Sequence, residues 1–183
     1  MKILSIQGSR REIDEYGKII PFEISDKVKI MEKYGEVITP EVRWYSNSKL
    51  FDLMNNIITN NKIDAIFGNS AGGFLSFYLS NYYKIPTFMV NPAIANTSEA
   101  PTLQKLPNEV LNASIYDKQM VVLGNSDLKM KGGVDFHLVI DFLSTKGFFK
   151  QKTNKMFIEE GMKHSMSLNI FEKYFDKFIN YYF

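Results

Sequence analysis

The chain has 183 residues, 45% hydrophobic and 23% charged, which is ordinary globular composition and enough to bury one sizeable core as a single domain, residues 1–183. Twenty-two basic and 20 acidic residues leave a formal charge of +2 and are scattered, with no basic cluster interleaved with aromatics, so a nucleic-acid partner is excluded. There is no cysteine, hence no disulfide and no thiolate metal site; "ILSI" before Arg10 and Arg11 is too short for a signal core, and no apolar run reaches the roughly 20 residues that cross a bilayer, so the expectation is a cytoplasmic protein with no membrane contact.

In chain order, residues 2–7 ("KILSIQ") predict a strand that stops at Gly8-Ser9. Residues 10–25 are mixed and polar, broken by Gly17 and Pro21, and are expected to be loop. "YGEVITPEVRWY" is β-rich, but Pro40 confines it to a sheet edge. From Ser46 to Asn61, Leu50, Leu53, Met54, Ile57 and Ile58 recur at helical spacing. "IDAIFG" predicts a short strand buried on both faces, residues 72–83 a helix, and "IPTFMVNP" a second buried strand.

Residues 95–118 are irregular, with room for a short helix near 105–115. "KQMVVLGNSD" predicts a strand running into a loop, "VDFHLVIDFLSTKG" a helix and "NKMFIEEG" a strand. The last 16 residues place Ile170, Phe171, Tyr174, Phe175, Phe178, Ile179 and Tyr182 on one helical face, which is a core stripe. Strand and helix alternate throughout. The expected fold class is therefore α/β: a mostly parallel sheet flanked by helices on both faces.

Gly68-Asn69-Ser70-Ala71-Gly72 fits G-x-S-x-G, and it falls where a buried strand passes into a helix. A serine lifted above a strand end needs a tight, strained turn, and a Cβ two residues to either side would clash there. Glycine at both places removes the clash. The helix that follows offers free N–H groups to an oxyanion, so the backbone of Ala71 is one expected donor. Ser9, in the loop after the first strand, is nominated as the other.

A serine nucleophile needs a base, and only His137 and His164 are available. His137 sits within a predicted helix. His164 lies between the last strand and the last helix, in a loop expected to return to the serine's rim. The imidazole in turn needs a carboxylate. Asp127, at the end of "VVLGNSD", gives the order Ser70, Asp127, His164; Asp135, at a predicted helix start, is the rival acid.

These stretches together resemble the α/β-hydrolases, and within them the small bacterial esterases of the YqiA-like family. The resemblance is carried by the first strand and its Gly8 loop, "FGNSAGGFLSFYLSNYYKIPTFMVNPAI", "VVLGNSD" and "EEGMKHSMSLNIFEKYF". It covers about two thirds of the chain. It implies a compact hydrolase with a minimal lid that cleaves short acyl esters, with Ser70 as nucleophile, His164 as base and Asp127 as orienting acid. Two departures stand out: Gln7-Gly8 where the family has His-Gly, and a longer acid loop, "DLKMKGGVDF".

The expected activity is that of a serine esterase or thioesterase acting on a small-molecule acyl substrate, with no cofactor and no metal. A catalytically degenerate fold serving as a binding module, and acyl transfer to an acceptor other than water, are the alternatives. Specificity is expected to lie in residues 9–22 and 95–118, and the methionine and aromatic content of the chain hints at an apolar acyl pocket, although such side chains more often form core.

Overall fold

The structure, a computed structural model, describes residues 1–8, 14–16, 18–44, 49–93, 106–125 and 136–183. Six strands form one sheet: β1 (Lys2–Ile6), β2 (Glu36–Ile38), β3 (Ala65–Asn69), β4 (Thr87–Val90), β5 (Gln119–Gly124) and β6 (Lys155–Glu159). Their spatial order is β2-β1-β3-β4-β5-β6, and every pairing is parallel. The helices between them are α1 (Lys27–Met31), α2 (Leu50–Asn61), α3 (Ala71–Tyr83), α4 (Asn108–Leu111), α5 (Phe136–Thr145) and α6 (Leu168–Tyr182).

The central strands bury both faces, as their near-continuous apolar runs require. Leu4, Ile6, Ile66, Met89, Val121 and Leu123 point to the layer of α2, α3 and α5. Ile3, Ala65, Phe67, Phe88, Val90, Met120 and Val122 point to the layer of α1 and α6. On that second face Phe88 meets Phe67, Phe171, Phe175 and Phe178, with ring centroids 5.8–5.9 Å apart. The apolar stripe of α6 is thus consumed by the core.

One element differs from expectation, and an expected edge strand is shorter than its sequence run. Residues 27–31 form a short helix that the sequence did not announce, because five residues carry too little periodicity to read. The β-rich run around Pro40 yields only Glu36–Ile38, at the edge of the sheet, and ends before the proline. Among the described residues, no helix is long and apolar enough to cross a membrane.

The strand order fixes where a site can form. From β1 the chain crosses outward to β2, then returns past β1 to β3 and continues the other way. The loops leaving β1 and β3 therefore diverge at their carboxyl ends and leave a crevice, the usual ligand position in open parallel sheets.

Candidate active site

Ser70 is the first residue after β3, and its backbone holds φ 53° and ψ −120°, a conformation that a residue with a Cβ rarely adopts. The surroundings over-determine it. Its N–H donates to the Val90 carbonyl at 3.0 Å, and its own carbonyl accepts from Ala93 at 2.9 Å and Phe74 at 3.1 Å. A Cβ on Gly68 would collide with Ser76 Oγ and the Gly72 carbonyl, and one on Gly72 with the Ile6 carbonyl. Both glycines are therefore demanded by close backbone approach at the turn. Ala71 opens α3 and is buried.

His164 lies in the loop between β6 and α6. Buried Met162 and Met166 anchor that loop from beneath. Asn91, at the end of β4 with φ 42°, clasps it from the side. The Asn91 Nδ2 donates to the carbonyls of Lys163 at 3.2 Å and His164 at 2.8 Å, while its Oδ1 accepts from the Gly124 N–H at 2.9 Å. One side chain thus ties the end of β4 to the end of β5 and to the histidine loop. A second tie runs from the Gly161 N–H to Asn125 Oδ1 at 2.9 Å.

Ser70 and His164 line one cavity of about 320 Å³, together with Gln7, Gly8, Ser25, Lys27, Phe67, Asn69 and Ser165. It opens at the crevice between the β1 and β3 loops, where a Cβ added to Gly8 would stand 2.9 Å from Ser70 Cβ. Among the described residues the lining is polar apart from Phe67. Burial, and secondarily the charge of Lys27, hold the His164 imidazole below its ordinary pKa, so it is neutral near pH 7. Its Nδ1 is buried without a hydrogen-bond partner among the described residues, and so is Asn69 Oδ1. Buried polar atoms of this kind are uncommon and mark a place where a ligand or a further side chain belongs.

The remaining sequence expectations fall elsewhere. Ser9, Asp127 and Asp135 lie outside the described residues. His137 is an exposed residue of α5, packed edge-on to Phe136. Among the described residues, no three His, Asp or Glu side chains gather closely enough to hold a metal ion. Sequence reasoning missed Lys27 and Asn91. The "VNP" terminus of β4 was visible, but the long-range bonds of its asparagine were not.

No protein-family profile matches the chain, and no curated protein matches its sequence. Solved structures do resemble it. An uncharacterised protein from Bacillus cereus superposes with a TM-score of 0.62 at 16% identity over 98% of this chain, which spans only 58% of that protein's length. An α/β-hydrolase enzyme from a sediment metagenome of the Mar Chica lagoon, Morocco, gives 0.57 at 11% identity, covering 99% of this chain and 90% of that one. An α/β-hydrolase from Sphaerobacter thermophilus gives 0.50 at 10% identity, covering 97% and 92%. At such identities the likeness speaks to architecture, and the architecture is the α/β-hydrolase fold.

Proposed function

We propose that the protein is a serine hydrolase acting on ester or thioester bonds. The observation that carries this is the sharing of one cavity by a serine on a strained strand-to-helix turn and a neutral, half-buried histidine. Ser70 Oγ attacks the acyl carbonyl as His164 takes its proton, and the amides of Ala71 and Ser9 receive the oxyanion. Collapse expels the alcohol or thiol, which leaves with the proton from His164. Water, deprotonated by the same imidazole, then attacks the acyl-enzyme and releases the acid and free Ser70.

Asp127 is the proposed partner of His164 Nδ1. Support comes from the chain leading to it: Gly124 and Asn125, just before the acid loop, are bonded to Asn91 and to Gly161, which in turn hold the histidine loop. The fold likeness adds hydrolase architecture to this reading.

A series of p-nitrophenyl esters of increasing acyl length tests it, with Asp127→Asn and Asp135→Asn alongside. Asp127→Asn is expected to lower kcat by roughly 10⁴, as loss of the correct imidazole tautomer does. A larger loss in Asp135→Asn would move the acid to that residue. Absence of turnover across the series in a folded wild-type protein would favour a binding module on this fold.

A further inference from the structure

Among the described residues, the Lys27 side chain lines the same cavity with no carboxylate beside it. No acidic side chain lines the cavity among the described residues. Asp26, next in the chain, is committed to Lys29 at 3.0 Å. The ammonium of Lys27 instead lies 5.7 Å from the centroid of the Phe171 ring, a residue of α6 in the core. Held against an aromatic face, this half-buried cation has lost water and meets no counter-ion among the described residues, and burial lowers its pKa accordingly.

The placement is also built rather than incidental. With its amide oriented to satisfy both neighbours, Gln7 donates to the Glu23 carbonyl at 3.1 Å and accepts from the Ser25 N–H at 3.0 Å. That pair fastens the segment before α1 to the rim of β1, and so fixes Ser25 and Lys27 beside Ser70. Ser25, Ser165 and Asn69 add neutral hydrogen-bonding groups to the cavity lining.

From this juxtaposition we infer that Lys27 is a specificity residue that binds an anionic group of the substrate, a carboxylate or a phosphate, while the acyl carbonyl sits at Ser70. The inference rests on the serine-hydrolase reading for its chemistry but not for its anion. A desolvated ammonium meeting an anion makes a charge-assisted hydrogen bond, which is worth roughly a ten- to hundred-fold preference over a neutral group of the same size.

The test compares p-nitrophenyl hydrogen glutarate with p-nitrophenyl butyrate as substrates of the wild type, Lys27→Met, Lys27→Gln and Lys27→Arg. The expected result is a glutarate-to-butyrate ratio of kcat/KM that falls ten- to hundred-fold in Lys27→Met and Lys27→Gln, and that survives within a few-fold in Lys27→Arg. Using two charge-removing variants keeps the test decisive if one fails to fold. In parallel, titration calorimetry of Ser70→Ala with glutarate, with inorganic phosphate and with glutaramide reads binding without turnover and separates carboxylate from phosphate. Binding of at least one anion, lost when Lys27→Met is added, is expected.

Ser70-dependent hydrolysis of both esters with a ratio indifferent to Lys27 would overturn the anion site and leave the hydrolase intact. Lys27-dependent anion binding without hydrolysis of either ester would do the reverse. Anion binding that persists in the absence of Lys27 overturns the assignment of this residue.

Discussion

At Ser70 a backbone conformation suited to glycine is occupied by serine, at a cost on the order of 1–3 kcal/mol. Replacing it separates strain from chemistry. Ser70→Gly relieves the left-handed φ and Ser70→Ala keeps it, so Ser70→Gly is expected to melt above Ser70→Ala, by about 1 kcal/mol in chemical denaturation, with both inactive. Equal stability would show that the turn is not strained. His164 makes a second residue-scale prediction. Its imidazole is held below the usual pKa by burial and by Lys27, so the neutral base persists to lower pH than an ordinary histidine. Lys27→Met removes one of the two causes and should move the acidic limb of kcat/KM for a neutral ester upward; a limb that does not move contradicts the assignment of Lys27 beside the imidazole. What could be seen in advance at this scale was the part that sterics impose on residue type. Gly68 and Gly72 are present because a Cβ at either would strike backbone, and that demand shows in the residues themselves. Lys27 was illegible for the opposite reason: its place beside Ser70 depends on Gln7 holding a distant segment, and no local pattern encodes that.

At the scale of elements, the loops that carry the site are braced by side-chain-to-backbone bonds between strand ends. Asn91 is the main brace, since its amide joins β4, β5 and the histidine loop. Asn91→Gly tolerates the φ of 42° but removes the amide, leaving the buried Gly124 N–H unsatisfied. The expected cost is about 1–3 kcal/mol of stability, together with a fall in kcat larger than any change in KM, because His164 loses its register against Ser70. An unchanged kcat would mean that the methionines beneath the loop suffice. Helix ends offer a contrast free of function. Lys62 closes α2 in the left-handed region with φ 54° and is exposed, so Lys62→Gly should stabilise the protein by about 1 kcal/mol without touching activity. The long helices and buried strands were legible from periodicity. α1 was not, because a five-residue helix gains its stability from packing on α6 and not from its own sequence.

For the whole molecule, the strand order matters more than any single contact. By reversing direction between β1 and β3, the sheet opens a crevice at its carboxyl edge, and the turn bearing Ser70 stands at that crevice. The alternation of strands and helices announced a parallel sheet but not this order, which is set by how α3 and α6 cover opposite faces. The central claim is that residues from β3 and from the loop after β6 work as one reactive pair. Labelling with a fluorophosphonate, followed by peptide mass spectrometry, measures that claim directly. The account predicts a single adduct on the peptide containing Ser70, absent in Ser70→Ala and formed far more slowly in His164→Gln. An adduct that persists in Ser70→Ala, or that forms at the wild-type rate in His164→Gln, would contradict it.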